Sequence, residues 1–98
     1  MESILQNEKR CWLCGRTGPE HLDAHHVYAG GMRNQSERYG LTVWLCHDSC
    51  HENGTYAVHR DKSTRERLQA WAQEKAMAYY HWSMEDWMNR FYKNYTEV

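Results

Sequence analysis

No stretch of this 98-residue chain approaches the roughly 18 consecutive apolar residues that cross a bilayer. The first residues, Met1 to Glu8, also lack the apolar core of a secretory signal. Neither a membrane partner nor an oxidising compartment is therefore expected, and the chain is placed in the cytoplasm. A basic excess is missing too: twelve Lys and Arg face thirteen Asp and Glu, for a formal net charge of -1. Overall charge thus gives no electrostatic footprint for nucleic acid, although a bound divalent cation would add two positive charges where a phosphate sits. The chain has one proline and one phenylalanine, and a mean hydropathy of -0.99. It nevertheless carries five Trp and seven Tyr, too many aromatics for a disordered chain. In a domain this small, a thin aromatic core calls for an additional staple.

The staple is visible in the cysteines. Cys11-Trp12-Leu13-Cys14 is a C-x2-C knuckle, and Cys46-His47-Asp48-Ser49-Cys50 is a second close pair with three intervening residues. A tetrahedral zinc ion takes four ligands from two short loops, and two close pairs far apart in sequence supply them. Reduced thiols buried in a core explain such pairing poorly. The βαβ pattern that a thioredoxin-like redox motif requires is absent. A structural zinc ion on Cys11, Cys14, Cys46 and Cys50 is expected, with the rival ligands His47 and His51 left for other work.

Six of the seven histidines fall between residues 11 and 61. His25 and His26 are adjacent within a strand-like run, residues 22–28, and a second such run covers residues 41–45. Neighbouring side chains in a strand face opposite ways, so one imidazole can meet a metal while the other serves elsewhere. Phosphodiester hydrolysis needs a base for water and a cation beside the scissile phosphate, and neutral imidazoles suit both tasks near pH 7.

The ordered set runs Cys-x2-Cys, His25-His26-Val27, Arg33 and Ser36, Tyr39-Gly40-Leu41, Leu45-Cys46, Cys50-His51, Val58-His59, and Phe91 to Asn94-Tyr95. It resembles the HNH (ββα-metal) endonucleases, in particular the small zinc-containing HNH proteins of phages and prophages. The resemblance covers residues 11 to 95. It implies a divalent metal (Mg2+, Mn2+, Ni2+ or Zn2+) held by His25 and by a closing histidine, for which His51 and His59 are both candidates. It implies that His26 is the general base, taking a proton from the water that attacks phosphorus in line. DNA is the implied partner, with nicking and double-strand cutting both open. Phage packaging, recombination or defence proteins are further partners, in a bacterial host cell; no small-molecule cofactor is implied. The alternative is an inactive zinc-stabilised module that binds nucleic acid or protein.

The chain departs from the family pattern at the middle Asn, whose region holds Leu41 and Thr42, leaving Asn34, Asn53 or backbone carbonyls as substitutes. The x3 spacing of Cys46 and Cys50 is the second departure. Phosphate-binding candidates are Arg33 and Arg38 in the loop between the strands, and Arg60 after His59. Residues 1–10 read as a loose lead-in. Residues 63–98 read as two helices separated by His81-Trp82. The first begins at a capping box, Ser63-Thr64-Arg65-Glu66, and the second at Ser83. Trp71, Tyr79, Trp87 and Phe91 fall at helical spacing and are expected in the core rather than in a base-stacking platform. The expected architecture is one α+β domain. Residues 11–61 form a zinc-stapled β-hairpin with a short helix, and residues 62–98 form C-terminal helices.

Overall fold

The computed structural model describes residues 2–96 of the chain. Strand β1, Leu22–His26, pairs antiparallel with strand β2, Thr42–Cys46. His25 lies opposite Val43, and His26 opposite Thr42. The hairpin and its helices make a small α+β architecture, as the sequence led us to expect. Alternation along the strands gives two faces. Asp23 and His25 share one with the buried Val43 and Leu45; Ala24 and His26 share the other with Thr42 and Trp44.

The connection between the strands is not a plain loop. It contains a short helix, α1 (Arg33–Tyr39), that ends on Gly40 at φ +71°. Sequence periodicity gives little sign of it because its buried residue is a serine. Ser36 Oγ donates to the Tyr28 carbonyl (2.7 Å) and accepts from the Tyr28 amide (3.0 Å), so two backbone groups leaving β1 are satisfied by one hydroxyl.

The N-terminal segment is docked rather than loose. Ile4 N donates to the Gly40 carbonyl (2.9 Å), Trp44 N donates to Gln6 Oε1 (2.8 Å), and Trp12 N donates to the Trp44 carbonyl (2.8 Å). The two bonds at Trp44 satisfy backbone groups on the free edge of β2.

Beyond β2 the chain makes a π-helical turn, His47–Glu52, in which Asn53 N donates to the Asp48 carbonyl (2.8 Å). A π-turn holds one residue more than the corresponding α-turn. That accommodates the extra residue between Cys46 and Cys50 while keeping both on one side. The turn closes against Gly54, where an added Cβ would lie 1.8 Å from the Ser49 carbonyl oxygen. The atoms it would meet, the Ser49 carbonyl oxygen and carbon, are backbone, and no side-chain rotation can relieve the clash. Gly54→Ala is therefore expected to cost about 3 kcal/mol or more. A drop in melting temperature of more than about 10 °C for the zinc-loaded variant would bear this out; an unchanged value would contradict it.

Helix α2 spans Lys62–Tyr80 and helix α3 spans Met84–Phe91. The cap of α2 is Asp61 rather than Ser63: its carboxylate accepts from the Thr64 amide (3.1 Å) and hydroxyl (2.6 Å). The second helix starts at Ser83 as read, and the structure makes that start a capping box, with Ser83 and Asp86 bonding each other's backbone N–H. Between the helices, His81 adopts the left-handed conformation at φ 58°.

Tyr28 joins the hairpin to the helices. Its hydroxyl donates to the Gln69 carbonyl (2.5 Å), and its ring meets Trp87, Phe91 and Tyr95 at centroid distances of 5.5, 5.0 and 4.7 Å. Trp87 and Phe91 are buried, and Trp71 is half-buried against Trp12. Tyr79, expected in the core, is 59% exposed. The buried line of α2 is Thr64, Leu68, Ala72, Gln73 and Ala76, and Tyr79 falls outside it.

Candidate metal centres

The four cysteines converge. Their sulfur atoms all lie within 4.8 Å of one another, a set that could hold a metal ion such as zinc. The Cys14–Cys46 sulfur separation is 3.5 Å. That is near the tetrahedral edge of about 3.8 Å set by Zn–S bonds of about 2.3 Å. Each pair comes from a turn tied to the hairpin. Cys11 bridges to Trp44, and Cys46 ends β2. The amides of Cys14 and Cys46 point at Cys11 Sγ, each at 3.5 Å. Burial pushes the Cys11 thiol up, but the backbone N–H groups of Cys14, Cys46 and Leu13 outweigh it and bring the thiol down to about 7. Burial instead pushes Cys50 up to about 12 and also raises Cys46. One thiolate is thus welcome in this cluster without a cation; several together require one.

A second cluster joins His25, His51 and His59, one ring nitrogen of each lying within 4.8 Å of the others. His25 Nδ1 is 3.3 Å from His51 Nε2, and His59 Nε2 is 3.0 Å from the same atom. The sequence offered His51 and His59 as alternatives; the fold brings both to His25. Two backbone bonds explain this. Val58 N donates to the Cys50 carbonyl (2.8 Å) and His59 N to the His51 carbonyl (3.1 Å), laying residues 58–59 along the π-turn.

The donor chemistry of the trio fits a cation. His51 Nδ1 is 3.0 Å from Asp23 Oδ2, and an ionised carboxylate only accepts, so Nδ1 carries the proton. His51 Nε2 then offers a single lone pair to two neighbouring nitrogens, and hydrogen bonding serves only one of them well. Metal–nitrogen bonds of about 2.0–2.1 Å give donor separations of about 3.0–3.4 Å, matching both distances. His25 is 6% exposed. Burial, reinforced by its histidine neighbours, brings its pKa down to about 3, so it stays neutral with a lone pair available.

His26 does not join this cluster. It lies on the other strand face, where its Nε2 donates to Glu37 Oε2 (2.8 Å) and helps hold that carboxyl below its ordinary range. Its Nδ1 is left as the free acceptor. Of the three arginines expected to bind phosphate, Arg60 is tied to the π-turn through the Asn53 carbonyl (2.9 Å). Arg33 and Arg38 are exposed on α1, the helix that supplies Glu37. Asn53 itself donates to Asp48 Oδ1 (2.7 Å), bracing the turn that carries His51.

Sequence reading missed Asp23 and Glu37. Asp23 had a signal, since it lies two residues before His25 and so shares its strand face. Glu37 had none, because α1 itself was not foreseen. No protein-family model, curated protein or solved structure matches the chain. No helix among the described residues is long and apolar enough to cross a membrane.

Proposed function

We propose that the chain is a metal-dependent endonuclease of the HNH, or ββα-metal, type, hydrolysing DNA phosphodiester bonds. Zinc on Cys11, Cys14, Cys46 and Cys50 holds the scaffold, and His25, His51 and His59 hold the catalytic divalent ion. The observation that carries the proposal is the convergence of three imidazoles from β1, the π-turn and the following loop around one point. A structural scaffold already stapled by four cysteines has no need of it. The divalent ion supplies electrostatic stabilisation of the charge that develops on the phosphate and the leaving 3′ oxygen. His26 Nδ1 takes the proton from the attacking water, while Glu37 orients the ring. Arg60, beside His59, offers a cation to the flanking phosphate.

One observation favours a second reading, an inactive zinc-stabilised module that binds nucleic acid or protein. His26 is engaged on the strand face opposite the trio, so the base and the metal are not side by side in the resting geometry.

Incubating supercoiled plasmid with zinc-loaded protein and Mg2+, Mn2+, Ni2+ or Zn2+ tests the proposal. Nicked or linear product is expected with at least one metal, and its loss is expected in His51→Ala. No cleavage with any of the four metals, or equal cleavage by the variant, rejects the nuclease reading.

A further inference from the structure

Asp23 lies outside the residues that either metal centre would use as ligands, yet its Oδ2 sits between two histidines. It is 3.0 Å from His51 Nδ1 and 2.6 Å from His47 Nδ1. We infer that Asp23 is a positioning residue that fixes the tautomer and ring orientation of His51, and through it the geometry of the three-histidine site. The inference rests on reading that trio as a metal site.

An imidazole has two nitrogens, and only the unprotonated one can ligate. For His51 to turn a lone pair from Nε2 toward His25 and His59, its proton must stay on Nδ1, and something must accept it there. Asp23 does so from a rigid position. It is in β1, opposite Leu45 in the ladder and two residues from His25, so the strand that delivers one ligand also orients another. Glu52, the other carboxylate near His51, lies 3.7 Å from Nδ1, too far for a hydrogen bond. His47 does not compete for the position, since one carboxylate oxygen accepts two donors. The ring of His47 is exposed and approaches from the solvent side of the turn. A carboxylate behind a ligating imidazole also raises the basicity of the ligand, and removing such partners generally weakens metal binding by about 10–100-fold.

The test uses the full chain with zinc at its cysteines and needs no DNA. Long-range 15N–1H spectra of the imidazoles report the His51 tautomer, and Ni2+ titration calorimetry reports binding at the trio. In the wild type, His51 is expected as the Nδ1–H form. In Asp23→Ala, that form gives way to Nε2–H and Ni2+ binds about 10–100-fold more weakly, with one zinc per chain retained. Asp23→Asn, whose amide oxygen can accept the same hydrogen bond, is expected to restore the greater part of both.

An alanine variant with unchanged tautomer and affinity overturns the inference. So does an asparagine variant no better than alanine, or zinc loss in both variants, which would make Asp23 a support of the fold. A wild-type chain that takes up no Ni2+ beyond its zinc rejects the metal reading of the trio itself. Ni2+ binding without plasmid cleavage rejects the nuclease reading and leaves the role of Asp23 standing.

Discussion

Cys14→Ser is expected to lower the zinc content below one per chain and to destabilise the protein by at least about 3 kcal/mol, equivalent to about 12–24 °C in melting temperature for a domain of this size. Cys14 is the informative choice because it is the exposed member of the set; Cys11, Cys46 and Cys50 are buried. Serine at a buried position would mix lost packing with lost ligation, whereas an exposed thiol with no metal partner could be exchanged within about 0.5 kcal/mol. Chelation should act more strongly still. Apparent binding energies of structural zinc run to about 10–16 kcal/mol, as large as the whole stability of an ordinary domain, about 5–15 kcal/mol. Stripping zinc is therefore expected to erase the near-ultraviolet dichroism of the tryptophans, not just to lower the midpoint. A variant with wild-type stability, or a chain unmoved by chelation, would mean that the sulfur cluster is a thiol core.

The two clusters share one structural element, so metal binding at either would be coupled to the other by the same factor. The π-turn supplies Cys50 to the sulfur cluster and His51 to the histidine cluster, and the Cys50 and His51 carbonyls anchor Val58 and His59. With zinc on the cysteines, its removal would loosen that turn and with it the positions of His51 and His59.

How much of this could be read from the sequence depended on the kind of interaction. Cysteine spacing announced the sulfur cluster, because tetrahedral ligation demands close pairs. Strand alternation separated His25 from His26, and the helix start read at Ser83 is the start of α3. What escaped was held by backbone or by single polar side chains. Helix α1 is anchored by Ser36 bonding to Tyr28, which leaves no hydrophobic period. The N-terminal segment docks through a main-chain bond from Ile4 to Gly40 and through the Gln6 side chain on Trp44, to which composition is blind. Asp61 displaced Ser63 as a cap because its carboxylate reaches both the amide and the hydroxyl of Thr64. The choice between His51 and His59 stayed open because bonds between residues 50–51 and 58–59, which bring the two rings together, have no sequence signature.

His26→Ala is expected to reduce plasmid cleavage by about 10²–10⁴-fold, the usual worth of a positioned general base, while leaving Ni2+ uptake by the trio unchanged. This separation follows from the geometry: His26 is absent from the histidine cluster and faces Glu37 instead. Glu37→Gln should have a smaller effect in the same direction. Its amide oxygen can still accept from His26 Nε2, but without the negative charge that favours the proton-bearing ring formed during catalysis. The inactive-module reading makes the opposite demand, with neither substitution affecting any activity and DNA binding, where present, surviving both. The decisive pattern is therefore a variant that keeps both metals and loses cleavage. If His26→Ala loses metal uptake as well, His26 belongs with the ligands and its role as base is withdrawn. If it cuts as fast as the wild type, the water is activated elsewhere in the site.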